Sequence, residues 1–291
     1  MIIDAHVHLF PDRLIEAVRA WFDQHAWQIQ YRETAEACVA RLLAGGVDKM
    51  VALPYAHKPG MARALNDFTL QLAARHPSVV PCCTVFPGEP GEEALLEEAL
   101  GSAPGAGQRA RTGPFHGIKI HSHVMRVAAD DPRLDAVWRA SARYHKPVVI
   151  HCGPEPAAAG YGVDVKALSG AERLSRALDR HPGAIAVVPH LGADQFLQFE
   201  ALLGRFEHLY LDTAMVVGGY FEPLGMPAQL ELVARNPGRI LYGTDFPNLP
   251  YDWETERRAL EGLGLEAAAR EALFGGTAAE VFGVAASVTE S

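Results

Sequence analysis

The chain lacks the features that would tie it to a membrane, a nucleic acid or a disulfide framework. No stretch approaches the roughly 20 unbroken apolar residues of a membrane span. The start, Met1-Ile2-Ile3-Asp4-Ala5-His6, has neither the basic segment nor the apolar run of a secretory leader. Cysteine is scarce, with four in 291 residues. Cys38, Cys82, Cys83 and Cys152 show no CxxC spacing, and three lie in or beside apolar runs. That is the pattern of buried free thiols in a reducing compartment, so a cytoplasmic location is expected. Basic residues are outnumbered, 26 against 35 acidic for a net charge of −9, and they are scattered. Phosphate recognition needs clustered Lys and Arg, so neither nucleic acid nor an anionic membrane is an expected partner. A small-molecule substrate is, with a homodimer as the prior for a protein of this class.

What is present is a large core. Hydrophobic residues make up 49% and charged residues 21%, which suits one well-packed domain of 291 residues. Eight short β-rich runs recur: residues 2–9, 47–53, 79–85, 117–121, 147–151, 184–190, 209–213 and 240–244. Such continuous runs fit strands buried on both faces, as in a parallel sheet. Helix-like segments lie between them. Glu33–Ala44 stops at Gly45-Gly46, Ala62–Arg75 ends before His76-Pro77, and Pro132–Tyr144 follows Asp131 as N-cap. Further helices are expected at 171–180, 194–204, 228–235, 253–262, 266–274 and 278–282. The expected fold is α/β, a closed (β/α)8 barrel forming a single domain over residues 1–291. An open nucleotide-binding sheet would place a glycine-rich turn after the first strand, where His8-Leu9-Phe10-Pro11 stands instead. The Gly/Ala/Pro stretch 101–113 reads as a loop on the barrel face away from the chemistry.

In such barrels reactive groups gather at the C-terminal strand ends. The first strand ends in His6-Val7-His8, whose i, i+2 spacing sends both imidazoles to one face. His151 ends the fifth strand, His190 the sixth, and Asp245 the eighth. Neutral imidazoles with a carboxylate suit Zn²⁺ and accept Mn²⁺, Fe²⁺ or Co²⁺. An ion so held lowers the pKa of its water from about 15.7 towards about 7. Five such groups buried without a cation would each need a separate partner. Lys119 and His121 form another i, i+2 pair on the fourth strand; His121 and His57 are candidates to touch substrate. His76, His145 and His181 fall where helices give way to strands, as expected of cations at helix C-termini.

These pieces resemble the amidohydrolase superfamily, in its amidohydrolase-2 branch of metal-dependent hydrolases, decarboxylases and hydratases. The matching motifs are Asp4-Ala5-His6-Val7-His8, Gly117-Ile118-Lys119-Ile120-His121, Val149-Ile150-His151-Cys152-Gly153, Pro189-His190-Leu191-Gly192, Tyr210-Leu211-Asp212-Thr213 and Gly243-Thr244-Asp245-Phe246-Pro247. The resemblance implies a metal held by His6, His8, His151 and Asp245. It gives His190 a hydrogen bond to water or a substrate carbonyl, and Asp245 a second role as proton shuttle. Asp4 and Thr244 would steady the ligands. One metal is the favoured count. In binuclear relatives a carboxylated lysine bridges two ions, with His151 and His190 serving the second, and Lys119 stands on the right strand for that. Its alternatives are a cation for a substrate carboxylate or oxyanion, and a pair with Asp212. Arg126 is a candidate for carboxylate binding, and Tyr161, in the long loop 153–170, for substrate contact under a lid. Two reactions stay open: hydrolysis of a small ester, lactone or amide, and decarboxylation or hydration of a carboxylated aromatic or enoic acid.

Overall fold

The computed structural model describes residues 1–101, 113–155, 158–219 and 226–285. The 101–113 loop therefore falls largely outside the described residues. Strands β1 (Ile3–Val7) and β2 (Lys49–Ala52) lead into β3, which has two stretches, Val79–Pro81 and Cys83–Thr84. Then come β4 (Ile118–His121), β5 (Val148–His151), β6 (Ala186–Val188), β7 (Leu209–Asp212) and β8 (Ile240–Leu241). All neighbouring pairs are parallel.

The first stretch of β3 pairs with β2 and the second with β4, so a single strand joins the two halves of the sheet. At the other seam Ala5 donates to the Tyr242 carbonyl at 2.8 Å, and Val7 bridges Phe246. The ring thus closes as the expected eight-stranded barrel. Helices run between the strands, at Ala35–Ala44, Ala62–Arg75, Glu92–Leu100, Asp135–Tyr144, Ala171–Arg180, Phe196–Leu203 and Met226–Arg235. Their inner faces follow helical spacing; in Ala35–Ala44 the buried residues are Ala35, Cys38, Val39 and Leu42. His76, His145 and His181 each cap a helix C-terminus.

Two of the longer helices, Glu92–Leu100 and Asp12–His25, were not among those expected. Asp12–His25 starts after Pro11 without a side-chain cap. It buries Ile15, Arg19 and Phe22 at spacings of four and three. Among the described residues no helix is long and apolar enough to cross a membrane.

Two layers hold the barrel. Between strands and helices, Val7, Met50, Ala52 and Val79 meet Val39 and Leu42. Inside, Ile3, Ala5, Val51, Leu53, Val80, Val149, Val187 and Leu241 pack together. The late helix Thr277–Phe282 closes this inner layer with Ala278, Val281 and Phe282. Each fully buried aliphatic or aromatic side chain here contributes about 1.5–3 kcal/mol.

Candidate active site and metal centre

β1 does not alternate evenly. Asp4 pairs with Met50 and Val7 with Ala52, so three steps on β1 oppose two on β2. Such an irregularity re-aims the side chains beyond it. Before it Ile3 and Ala5 fill the barrel interior; after it His6 and His8 turn into the mouth. Gly243 makes room, since a Cβ there would lie 2.9 Å from the His6 Cβ. Buried Asp4 ties β1 to the end of β8. It accepts from the amides of His6 and Thr244 at 3.1 Å and from Thr244 Oγ1 at 2.6 Å. Burial raises its carboxyl to about 7, against those three hydrogen bonds.

The protons in this corner can be counted. His6 Nδ1 lies 2.8 Å from Asp212 Oδ2, while Asp212 Oδ1 already accepts from the amides of His190 and Ala214. His8 Nδ1 donates to the Leu53 carbonyl at 2.9 Å, an atom that only accepts. Each neutral ring has thereby spent its proton, and each Nε2 presents a lone pair. These two nitrogens stand 3.2 Å apart. Asp245 Oδ1 is 2.9 Å from His8 Nε2 and 3.4 Å from His6 Nε2. Three lone-pair donors facing one another repel unless a positive species lies among them, and a divalent cation fits this N, N, O set. Burial would raise the Asp245 carboxyl, but the contact with His8 and the neighbouring His6 and His190 rings outweigh it and hold it at about 2. Burial, with the Lys119 charge next, pushes His6 well below its ordinary value, which favours the neutral ligating form.

His190 arrives on a turn rather than on a strand. After β6 the chain goes left-handed at His190, Leu191, Gly192 and Ala193, with φ of 58°, 52°, 87° and 52°. Gly153, after β5, is pressed against that turn, and a Cβ on it would lie 2.6 Å from the Gly192 carbonyl carbon. His190 Nδ1 donates to the Ala214 carbonyl at 2.7 Å, leaving Nε2 as a lone pair 3.2 Å from His151 Nδ1. His151, expected as a fourth ligand, is not grouped with His6, His8 and Asp245; its Nε2 faces the Glu155 carboxylate.

Lys119 is fully buried beneath this corner, and its Nζ has no hydrogen-bond partner among the described residues. Burial lowers its pKa to about 8, opposed by the Asp212 and Asp245 carboxylates. Near as Asp212 is, its oxygens are taken by His6, His190 and Ala214.

Above the polar corner lies a cavity of about 380 Å³. His8, His121, His151, His190 and Asp245 form its polar end, and Trp21, Phe22, Trp27, Tyr55, Tyr161 and Phe196 much of its wall. Tyr161 stacks on Trp21 with ring centres 5.0 Å apart, and His121 stacks on His151 at 4.2 Å. Tyr161 and His121 thus stand where substrate contact was expected. Arg126 and His57 are exposed and do not line the cavity. No Lys or Arg does among the described residues. Trp21, Phe22, Trp27 and Glu155 were not anticipated from the sequence. For the first two the signal was the spacing Leu14, Ile15, Val18, Phe22, which marks the helix Asp12–His25.

With this geometry in hand, the comparisons are consistent. A family model for amidohydrolases matches residues 3–284, and the chain belongs to that family. No curated protein matches it in sequence. Among solved structures it is similar to a zinc-bound amidohydrolase from Burkholderia multivorans, with 17% identity, TM-score 0.68, and coverage of 98% of this chain and 100% of that one. It is also similar to a manganese-bound 5-carboxyvanillate decarboxylase from Novosphingobium aromaticivorans, with 18% identity, TM-score 0.65 and 97% of both chains covered. A third is a putative 2-pyrone-4,6-dicarboxylic acid hydrolase from Pseudomonas putida, with 18% identity, TM-score 0.64 and 98% of both covered. The family makes the chain an enzyme of the amidohydrolase superfamily acting on a small-molecule substrate, the likenesses give it a TIM-barrel fold, and His6, His8 and Asp245 form a group that could hold a metal ion.

Proposed function

We propose that the protein is a metal-dependent hydrolase of small esters, lactones or amides with an apolar or aromatic body. The observation that carries this reading is the convergence of His6 Nε2, His8 Nε2 and Asp245 Oδ1 at the polar end of an aromatic-walled cavity. A divalent cation held there, zinc by its donor set, would supply Lewis acidity to a water or a carbonyl oxygen. Asp245 remains ionised at neutral pH, lines the cavity, and is placed to take a proton from the attacking water and return it to the leaving group. His190, with its Nδ1 proton committed to Ala214 and its Nε2 held 3.2 Å from His151 Nδ1, lines the polar end of the cavity and shapes it beside Asp245. Lys119 lies outside the cavity lining, so its charge acts on Asp212 and Asp245 from behind rather than on substrate. His121 and Tyr161 bound the substrate's body.

A second reading is non-oxidative decarboxylation of an aromatic acid. The aromatic wall favours it, as does the fold shared with a 5-carboxyvanillate decarboxylase. A dicarboxylate fits less well, because no basic side chain lines the described cavity to meet a second carboxylate. A panel of aryl esters, lactones, amides and aromatic acids, offered to zinc- and manganese-loaded protein, tests both readings. Ester or lactone cleavage abolished by His6→Ala is expected. Release of CO₂ from aromatic acids with every ester, lactone and amide untouched would overturn the hydrolase reading in favour of the lyase.

A further inference from the structure

A second group of ligand-capable side chains borders the same cavity and takes no part in the chemistry above. One ligand atom from each of His123, His151 and Glu155 lies within 4.8 Å of the other two. His123 sits on the short helix Ser122–Met125, immediately after β4, and its side chain is wholly buried. Its Nε2 is anchored 2.6 Å from Ser169 Oγ. That leaves Nδ1 pointing at Glu155 Oε2 from 3.8 Å, too far for a hydrogen bond. This Nδ1 is buried and has no partner among the described residues. His151 Nε2 meets the other oxygen of the same carboxylate.

Counting protons shows a missing positive charge here as well. His190 Nε2 is a lone pair, because its other nitrogen donates to the Ala214 carbonyl. It faces His151 Nδ1 at 3.2 Å. If His151 carries its one proton on Nδ1, a bare Nε2 lone pair confronts the Glu155 carboxylate. If the proton is on Nε2, two lone pairs confront each other across the His151–His190 contact. A second proton on His151 would relieve either clash but still leave His123 Nδ1 without a partner among the described residues. A cation between Nδ1 of His123, Nε2 of His151 and the Glu155 carboxylate satisfies all three at once. Ligand atoms on a tetrahedral zinc stand about 3.4 Å apart, close to the spacing that His123 and Glu155 already hold.

We propose that His123, His151 and Glu155 form a second divalent-cation site, separate from the one at His6, His8 and Asp245. Two imidazoles and a carboxylate are a zinc-type set of three, which leaves a fourth position open. His151 and Glu155 line the cavity, so that position is within reach of a bound molecule. Neither Lys119 nor any carboxylated lysine takes part, which separates this site from a lysine-bridged pair.

The test is titration of the metal-stripped full chain with Zn²⁺ and Co²⁺. Stoichiometry comes from elemental analysis after gel filtration, and Co²⁺ absorption bands report each site's coordination. Wild type and Lys119→Met should each bind two equivalents. Glu155→Gln and His123→Gln should each lose one together with its Co²⁺ bands, while His8→Ala loses the other. Glu155 sits on a loop with a quarter of its side chain exposed, so its variant should fold, and thermal melts check this. One wild-type equivalent, lost in His8→Ala and kept in Glu155→Gln, would overturn the second site and leave the proposed function standing. A second equivalent that survives Glu155→Gln but vanishes in Lys119→Met would overturn it too. Binding lost in Glu155→Gln and unchanged in His8→Ala would leave the second site standing and overturn the metal centre on which the proposed function rests.

Discussion

The polar end of the cavity and its aromatic wall are built from different kinds of chain. His6, His8 and Asp245 stand at strand ends, cross-tied through Asp4, Thr244 and Asp212, so their positions are set by the ladder of the barrel itself. The wall comes from the connections: Trp21 and Phe22 on the helix after β1, Tyr161 in the loop after β5, Phe196 after the left-handed turn that follows β6. The rigid part carries charge and chemistry, while the loop-borne part carries shape. A change at the first should strike turnover, and a change at the second should strike recognition.

The sharpest way to break that division is Asp245→Asn. Loss of the carboxylate should cut turnover about 100- to 10,000-fold, as expected when a proton-transfer group is removed, and take one metal equivalent with it. Steady-state kinetics beside elemental analysis check this, and a variant that keeps turnover would show that the strand ends are not where the chemistry lies. Next in size is metal removal. An ion present at about 1,000 times its dissociation constant stabilises the fold by about 4 kcal/mol, so chelation should lower Tm by on the order of 10 °C in a domain this large. Calorimetry with and without chelator measures the shift, and an unchanged Tm would mean that the strand-end triad holds no tightly bound ion.

Glu256 lies between the two regions. It accepts from the Val217 amide at 3.0 Å and from Tyr251 at 2.6 Å, and so fixes the segment after β7 whose Ala214 carbonyl holds His190. Burial raises its carboxyl from 4.5 to about 7 against those hydrogen bonds. The folded chain therefore holds this proton more tightly than the unfolded chain does. Its contribution is full below pH 4.5 and declines as pH rises towards 7, by on the order of 3 kcal/mol. Melts of wild type and Glu256→Gln across this range should converge or diverge by that amount, and parallel curves would refute the assignment.

The smallest effect is expected at the wall. Trp21→Ala should forfeit about 1.5–3 kcal/mol of apolar contact, raising KM about 10- to 100-fold with little change in kcat. A fall in kcat at constant KM would erase the distinction between the two regions.

The same division explains what could be read from the chain. Residues at or just beyond strand ends were legible because barrel topology converts sequence position into spatial position, so His6, His8, His151, His190 and Asp245 could be gathered without coordinates. The Ala62–Arg75 and Ala171–Arg180 helices have the expected limits because Gly, Pro and charge patterns punctuate them. The helix Asp12–His25 was missed because it opens without a side-chain cap and places Arg19 on its buried face, which breaks up the apolar stripe. With it went Trp21 and Phe22. Glu155 was illegible for a different reason: it follows a strand end by four residues, and only the path of the loop brings it back onto His151. Nor does the residue pattern disclose the β1 irregularity, since it depends on the register against β2.

The helix Thr277–Phe282 brings Val281 and Phe282 into the same buried cluster as Ile3, Val149 and Val187. Those partners come from far-separated parts of the sequence, so this contact can form only after most of the ring has been assembled. Closing such long loops costs entropy before any contact repays it. The inner layer should therefore stay hydrated through the early stages of folding and dry last, when this helix docks. Interactions made that late resist unfolding rather than hasten folding. A helix more than 260 residues along the chain from the strand that bears His6 and His8 should thus govern how long the assembled barrel persists.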